Sequence, residues 1–389
     1  MERYEEFEQY LRAEEPDKVH RAKNWSIAIG LQDVDRIHPS DFLLQQAKEN
    51  IEGNISREQV RKNIEEYYKE KSIRDEAIKN RTFEADNVIE RINSLLAEPA
   101  FTFSPAELSH IHEFLFKGLD KRAGTFRDYN ITKNQWILDG DTIKYGRAGN
   151  LKELLNFDFS VEKRFDYTNH SSLEALNHIA RFIAGIWQIH PFGEGNTRTT
   201  AVFLIKYLKS FGFNVDNESF AKHSWFFRNA LVRSQYENIP KGIHRTFEPL
   251  ERFLNHAVFG MPADLRNRTL HIHWKKDEQI NEMQHVKPQN EVLRAPKPQN
   301  EVLEKQILTD PQIFKGFEKK LTIKEFAVIT LIAENNRISL KELAAKPGLS
   351  KGSVDRIIKS LKEKGILQRL GSKNNSTWIV KSLCDETPE

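Results

Sequence analysis

The nine residues HPFGEGNTR at positions 190–198 bring together an imidazole, a carboxylate, a guanidinium and two glycines. Histidine titrates near neutral pH, so His190 can take a proton from a hydroxyl nucleophile. Glu194 can hold a hard cation such as Mg²⁺, and Arg198 can bond two phosphate oxygens at once. Together these groups predict transfer of a phosphate-containing group, a reaction that depends on positioning and charge neutralisation.

The sequence on either side of this string predicts a loop that leads into the start of a helix. Residues 171–189 have the spacing of an amphipathic helix, which Pro191 and the glycines interrupt. A second helical run begins at Asn196, a good N-cap residue. The backbone N–H groups of such a helix start bind anions, and Phe192 would seat the loop on the core. A helical corner with merely solvated polar groups would explain any one of these residues. The complete string favours a catalytic site over a solvated corner, because its groups converge at one helix start.

The string resembles the signature of Fic-domain proteins, His-x-Phe-x-Asp/Glu-Gly-Asn-Gly-Arg-x-x-Arg. The segments LSHIHEFLF at 108–116, AGTFR at 123–127 and residues 130–146 are also similar to that family, so the resemblance covers roughly residues 100–260. It implies a protein adenylyltransferase that moves AMP from ATP, with Mg²⁺, onto a Ser, Thr or Tyr hydroxyl of a protein. ATP is then a substrate and Mg²⁺ a cofactor.

The resemblance also implies a role for individual residues. His190 would be the catalytic base and Glu194 the metal ligand. The glycines and Asn196 would cradle the α- and β-phosphates, and Arg198 would clamp the distal phosphates. The expected nucleotide-binding residues are, in chain order, Ile143, Lys144, Tyr145, Gly193, Gly195, Asn196, Thr197, Arg198, Phe227 and Gln235.

Residues 126–146 predict a β-hairpin, because β-favouring residues flank the turn sequence Asp139-Gly140-Asp141. A single hairpin in a helical body is typical of a ligand flap, since it is barely stable alone. By the resemblance, this flap would hold the target segment by strand addition.

Two positions depart from the family signature. Thr197 replaces a glycine, and Ala201 stands where the second arginine would be. His190 and Glu194 are both present, which argues against an inactive relative. Two alternatives remain open: a Fic-type transferase of another phosphate-containing group, and a nucleotide-sensing transcriptional regulator with little turnover.

Residues 49–54, ENIEGN, resemble the end of the inhibitory motif of some Fic proteins, Ser/Thr-x-x-x-Glu-Gly/Asn. The resemblance implies that Glu52 reaches into the ATP site and inhibits the enzyme. Lys48 occupies the Ser/Thr position, however, and the usual arginine partner is the one missing at Ala201. A helix C-terminus closed by Gly53 is the alternative.

The chain divides at a tandem duplication, VKPQNEVLRA followed by PKPQNEVLEK at 286–305. Its prolines and polar residues predict a semi-rigid linker, with a docking motif as the alternative. The predicted fold is mainly α: a Fic-type helical core with a small β-hairpin flap, and an α+β winged helix-turn-helix. The predicted domains are an N-terminal helical region (1–95), the Fic domain (96–280), the linker (281–305) and the winged helix-turn-helix (306–389).

The C-terminal part predicts a winged helix-turn-helix because a helix, a turn at Pro347-Gly348, a second helix and a short hairpin follow one another. From Lys305 onward there are 16 Lys and Arg against 10 Asp and Glu. This charge favours double-stranded DNA as the partner, and protein docking is the alternative. The expected DNA-binding residues are Lys351, Ser353, Arg356, Lys359 and Lys373.

The composition excludes several classes of protein. With 39% apolar and 30% charged residues among 389, the chain is neither disordered nor membrane-embedded. The N-terminal 18 residues are acidic and lack the apolar stretch of a signal peptide. The one cysteine, Cys384, excludes intrachain disulfides and multi-cysteine zinc sites, and it predicts a cytoplasmic location. A homodimer remains open.

Overall fold

The computed structural model describes residues 7–11, 15–213, 215, 217–274, 321–322, 325, 328–329, 331–332, 336–344, 351–372 and 375–380. Within these residues the fold is mainly α, as predicted, with a single two-stranded sheet. The predicted linker lies outside them. The helices are α1 (Glu8–Leu11), α2 (Pro16–Gly30), α3 (Asp41–Glu52), α4 (Arg57–Tyr67), α5 (Lys71–Lys79), α6 (Thr82–Ala97), α7 (Pro105–Phe116), α8 (Leu151–Arg164), α9 (Ser172–Ile189), α10 (Asn196–Ser210), α11 (Asn217–Lys222), α12 (Ser224–Gln235), α13 (Glu248–Phe259), α14 (Leu340–Ala344) and α15 (Lys351–Glu363).

The N-terminal helices pack onto the body through α2 and α6, whose apolar residues join the common core. Serine caps begin α3 and α4: Ser40 accepts a bond from the N–H of Leu43, and Ser56 from that of Gln59. Helices α4 and α5 are separated by residues 68–70. The chain leaves α4 at Tyr68, whose buried hydroxyl donates to Asp86 at 2.6 Å.

The central helix α9 carries the 190–198 string at its C-terminal end. It begins with a capping box, in which Ser171 and Glu174 bond each other's backbone N–H groups. Most of its eighteen residues are buried, and it packs against α8, α10, α12 and α13. Buried Glu162 of α8 is bonded by Tyr207 of α10 at 2.7 Å and His178 of α9 at 2.7 Å. Packing and this carboxylate therefore fix the direction of α9.

The predicted hairpin over 126–146 is not formed as a pair of strands, and the structure corrects this prediction. The turn is a 3₁₀ helix, Trp136–Leu138, closed by a bond from the N–H of Gln135 to the carbonyl of Asp141 at 2.9 Å. Beyond the turn, the backbone of Gly146 bonds Gln188 of α9 at 3.3 Å. This limb of the flap is thus attached to α9, and it contacts the other limb mainly through side chains, such as the Tyr145 hydroxyl, which accepts Gln135 Nε2 at 3.1 Å.

The C-terminal part has the predicted order of a winged helix-turn-helix. After α14 and α15 come strands β1 (Leu367–Ser372) and β2 (Asn375–Val380), antiparallel with Leu367 opposite Val380. Trp378 is buried and donates from Nε1 to the carbonyl of Ile338 at 3.0 Å. The N–H of Ser172, at the start of α9, donates to the carbonyl of Leu321 at 2.7 Å, so the C-terminal part contacts the helical body.

Among the described residues, no helix is both long enough and apolar enough to cross a bilayer.

Candidate active site

The side chain of Asn196, the first residue of α10, closes the loop between α9 and α10. Its Oδ1 accepts the N–H of Phe192 at 3.0 Å, and its Nδ2 donates to the carbonyl of Phe192 at 2.8 Å. Gly195 has a φ of 71°, and a Cβ there would lie 2.3 Å from the ring of Phe116. Only glycine fits at this position. Asn196 therefore shapes the loop, because both atoms of its side-chain amide bond the loop backbone.

The start of α10, which follows the loop, has the backbone features of an anion site. Gly195 is the N-cap and bonds the N–H of Thr199 through its carbonyl. The N–H groups of the first helical turn have no acceptor within the helix, and the helix dipole is positive there. This is the position expected for the phosphates.

His190 ends α9 in the left-handed conformation, with φ 51° and ψ 60°. Its Nδ1 lies 3.2 Å from the carbonyl oxygen of Trp187, which only accepts, so Nδ1 carries the proton and Nε2 holds the free electron pair. The side chain is 4% exposed. Burial, with a further contribution from Lys133, lowers the pKa of His190 well below its usual value. The ring is neutral at pH 7 and available as a base.

Arg127 holds together the loop, the end of α9 and the flap. Its Nε donates to the carbonyl of His190 at 2.8 Å, its Nη1 to that of Tyr129 at 2.6 Å, and its Nη2 to that of Gly146 at 2.5 Å. Its own backbone N–H bonds the carbonyl of Pro191 at 2.8 Å. This guanidinium is buried and contacts carbonyls rather than a carboxylate, so its role is to position the loop.

His112 of α7 supports the loop from below. Its Nδ1 accepts the N–H of Gly124 at 2.8 Å, its Nε2 donates to the carbonyl of Glu194 at 3.1 Å, and its ring stacks on Phe192 at 3.8 Å. Burial lowers the pKa of His112 to about 4. The neutral ring thus connects α7 to the site as a structural support.

Glu194 extends its carboxylate into solvent, with 76% of the side chain exposed, and contacts Lys133 Nζ at 3.3 Å. The described residues contain no group of three or more His, Cys, Asp or Glu able to hold a metal without other ligands. Mg²⁺ commonly binds through one or two carboxylates, phosphates and water. A single exposed carboxylate beside a phosphate site fits that pattern, and Glu194 is the residue that would supply it.

Arg198 is buried and contacts two carboxylates. Its Nη1 donates to Gln32 Oε1 at 3.0 Å, and its Nη2 lies 2.8 Å from both Glu84 and Asp35. The guanidinium also lies 4.8 Å from the centre of the Phe116 ring. The predicted phosphate clamp is therefore occupied by acidic side chains in this structure.

The two departures from the family signature have different structural consequences. Thr197 turns its hydroxyl inward, where it accepts a bond from Trp187 Nε1 at 3.0 Å. The Thr197 hydroxyl thereby joins α10 to α9. Ala201 is fully buried in the core, so its side chain supplies no cation to the site.

The flap brings part of its predicted nucleotide-binding segment to the site. The ring of Tyr145 lies 4.7 Å from the ring of His190, and Ile143 is buried. Lys144 accepts a bond from Gln188 at 2.9 Å through its backbone carbonyl. Tyr145 is thus the member of this segment in contact with His190.

Phe227 and Gln235, on α12, lie in the interior. The Phe227 ring is fully buried and packs against Phe220 and Phe253. Contact of Phe227 with adenine would require the core to open, so the structure gives this residue a packing role. Gln235 is 7% exposed, and its Oε1 lacks a hydrogen-bond partner among the described residues.

Glu52 does not reach the loop, which corrects the predicted position of the inhibitory carboxylate. It is the last residue of α3 and pairs with Lys18 at 2.9 Å. Gly53 follows with a φ of 89° and caps the helix, as the alternative interpretation predicted. The carboxylates that do contact the motif belong to Glu84 and Asp35.

A cavity of about 760 Å³ opens beside the loop. Gly193 and Glu194 form one wall, and the start of α6 with Glu84 forms another. The other charged walls are Arg81, Lys121, Arg122, Arg127 and Asp120. The four cations and three carboxylates of the lining leave a small excess of positive charge, which favours an anionic ligand.

Helix α15 exposes two of the predicted DNA-binding side chains, Arg356 and Lys359. The opposite face, which includes Val354 and Leu361, is buried. Ser353 is partly buried on the same helix. Lys351 begins α15, but its side chain, like Lys373, lies outside the described residues.

Four residues with a clear part in the site were not identified from the sequence. Arg127 and His112 lie inside segments that resemble the family. The resemblance marked those segments, but it implied no role for these two residues. Glu84 and Asp35 lie more than 100 residues before Arg198, and no local pattern connects them to it.

Two parts of the sequence match known families. Residues 102–208 match the Fic/DOC family, and residues 321–376 match the MarR family of winged-helix proteins. No curated protein matches the chain.

Several solved structures are similar to the chain. BepC of Bartonella tribocorum, solved with bound AMPPNP, has 21% identity and a TM-score of 0.36, with 46% of this chain and 86% of that chain covered. The N-terminal FIC domain of Bep8 from Bartonella sp. 1-1C has 18% identity and a TM-score of 0.36, with 45% and 82% covered. A Fic family protein of Desulfovibrio desulfuricans G20 has 12% identity and a TM-score of 0.39, with 97% and 94% covered.

The chain thus carries a Fic/DOC family domain, matched over residues 102–208 and including the loop at 190–198, and a winged-helix domain of the MarR family, matched over residues 321–376.

Proposed function

We propose that this protein transfers AMP from ATP to a Ser, Thr or Tyr hydroxyl of a protein substrate. Fic/DOC proteins commonly transfer AMP or other nucleotide groups to proteins, which makes a transferase the expected class. The observation that carries the proposal is the state of His190. It is a neutral imidazole whose proton is committed to the Trp187 carbonyl. His190 ends α9, a few residues before the start of α10, and a helix start favours anions.

In the proposed reaction, the hydroxyl oxygen of the target attacks the α-phosphorus of ATP. The bond from that phosphorus to the oxygen bridging to the β-phosphate breaks, pyrophosphate leaves, and His190 Nε2 takes the hydroxyl proton. The first-turn N–H groups of α10 hold the α- and β-phosphates. Mg²⁺, when bound at Glu194, neutralises charge on the phosphates.

The first test uses ATP labelled at either the α- or the γ-phosphate, with Mg²⁺ and cell lysate as the source of protein substrates. We expect protein labelling from the α-phosphate only. His190→Ala should lower the rate at least about 100-fold, because a general base contributes about 10²–10⁴. His110→Ala, an exposed histidine on α7, should keep the wild-type rate.

Labelling from the γ-phosphate would replace AMP transfer with phosphoryl transfer. Equal rates for His190→Ala and wild type would contradict the role of His190. If neither label is incorporated by wild type or by the Glu84 variant described next, the nucleotide-sensing regulator becomes the better account.

We also propose that Glu84 and Asp35 restrain the enzyme by occupying Arg198. Both carboxylates lie 2.8 Å from the same Nη2, so the phosphates of ATP must compete with them for the guanidinium. Burial alone would raise the pKa of Glu84, but Arg198 reverses this and the pKa lies below its usual value. The carboxylate is therefore charged at neutral pH.

Glu84→Gln should raise kcat/KM for ATP on the order of tenfold, since it weakens one charged competitor and keeps the shape of the side chain. The matched control is Glu52→Gln, which removes a carboxylate paired with Lys18 and should leave kcat/KM unchanged. Both are measured as initial rates over a series of ATP concentrations. A rise in the Glu52 variant without a rise in the Glu84 variant would restore Glu52 as the inhibitory residue.

For the winged-helix domain we propose binding to double-stranded DNA. The support is the exposure of Arg356 and Lys359 on one face of α15, opposite the buried apolar face. We keep the proposed division of the chain at the linker, with transfer before it and DNA binding after it. A cytoplasmic location, argued from the single cysteine, belongs to the same proposal.

Binding of the full chain to fluorescent duplex DNA should weaken as salt rises, because phosphate contacts release counterions. Arg356→Ala with Lys359→Ala should reduce the slope of log K against log salt by about two, one for each lost contact. Lys62→Ala with Lys69→Ala, two exposed lysines near the N-terminus, is the matched control. Absence of binding at low salt, or equal loss in the control, would favour protein docking instead.

A further inference from the structure

A second cavity, of about 480 Å³, lies among the N-terminal helices. Its walls come from α2, from the end of α3 and the start of α4, and from α6. No residue of the 190–198 loop or of the flap lines it. The volume lies within the range of small-molecule sites, about 300–1,000 Å³.

The side chains that line this cavity are cationic or neutral. His20, Arg21 and Arg57 are part of the wall, and no carboxylate is. Glu52, at the end of α3, pairs with Lys18. An anion would therefore be attracted to this cavity and a cation repelled.

Other cations around the cavity add to its positive charge. Burial lowers the pKa of His20, Lys209 and Lys23 lower it further, and Asp17 opposes them. Burial and neighbouring lysines also lower the pKa of Lys209, to about 8. Burial is the largest cause of both shifts, and the lysine contributions show that cations lie near the cavity. His20 is neutral at pH 7, so the two arginines carry the positive charge of the wall.

Two buried amides at the cavity each have one atom without a hydrogen-bond partner among the described residues. Asn24 and Asn93 both line it and are 1% and 2% exposed, yet Asn24 Oδ1 and Asn93 Nδ2 have no hydrogen bond among the described residues. Asn50 lines the same cavity and has both amide atoms bonded, Oδ1 by Trp25 at 3.0 Å and Nδ2 to Ile55 at 2.9 Å. Because an unsatisfied buried polar atom is destabilising, the two open positions point to a missing partner.

The start of α4 contributes one more feature of an anion site. Ser56 is the N-cap and Arg57 the first residue of this helix. Its Ser56 hydroxyl accepts the N–H of Gln59 at 3.1 Å, which leaves the other first-turn N–H groups without an intrahelical acceptor. Helix dipole, guanidinium and free amide donor thus occur in one cavity.

We infer that this cavity binds a phosphate ester of a small hydroxylated molecule, such as a sugar phosphate, at a site separate from the 190–198 loop. The cations, the helix start and Asn93 Nδ2 would hold the phosphate oxygens. Asn24 Oδ1 accepts only, so it requires a hydroxyl donor on the ligand. The need for both an anion and a donor favours a phosphorylated polyol over inorganic phosphate.

The test is calorimetric titration of the full chain with ribose 5-phosphate, inorganic phosphate and ribose at constant ionic strength. We expect ribose 5-phosphate to bind tightest, phosphate at least tenfold more weakly, and ribose not measurably. Arg57→Ala should weaken ribose 5-phosphate at least tenfold. Lys62→Ala, an exposed lysine on the same helix, should leave the affinity unchanged.

A second variant, Asn93→Leu, tests the open amide position. It should abolish binding of ribose 5-phosphate and keep or raise the Tm of the free protein, because it removes an unsatisfied amide. Saturating ATP should leave the affinity for ribose 5-phosphate unchanged. The inference is overturned if ATP competes, if Arg57→Ala and Lys62→Ala lose affinity equally, or if ribose 5-phosphate does not bind wild type. None of these outcomes depends on AMP transfer.

Discussion

The bonds from Arg127 to main-chain carbonyls are the constraint on which the rest of the site depends. A helix end leaves carbonyls without intrahelical partners, and burial of such groups is costly. Arg127 bonds carbonyls at the end of α9 and on the flap, so one side chain joins the two parts. The left-handed backbone of His190, which costs energy for a residue other than glycine, is retained because its carbonyl is held in this way. The position of the imidazole follows, and the Trp187 carbonyl fixes its tautomer.

The site has neutral histidines close to the loop and charged residues around them. Close to the loop, His190 and His112 are both neutral, because burial lowers the pKa of each ring. The bond that each ring donates to a backbone carbonyl opposes this shift and fixes which nitrogen carries the proton. Around them, buried Arg198 is already compensated by carboxylates, while Glu194 remains exposed to solvent. Such a site can exchange an internal carboxylate for a phosphate of the ligand without leaving a buried charge unpaired.

The sequence predicted the features that depend on neighbouring residues. The helices before and after the loop, the glycine at 195 and the winged helix-turn-helix order all follow from local spacing, caps and turns. It did not predict the contacts between distant segments. Arg198 meets Glu84 because α6 packs beside α10, and the flap attaches to α9 through Gln188 instead of forming a strand ladder. Nothing in the sequence around Phe227 indicates whether its ring is buried. The packing of α12 places it in the core.

The central claim is that the loop presents a neutral His190 with Nε2 as the base. Nitrogen-15 NMR of the histidine rings, with His190→Ala to assign the signal, tests it directly. We predict that at pH 6.5 His190 shows the neutral form protonated at Nδ1, because burial lowers its pKa and the Trp187 carbonyl fixes the proton. A protonated imidazolium at that pH, or a neutral ring protonated at Nε2, would contradict the account.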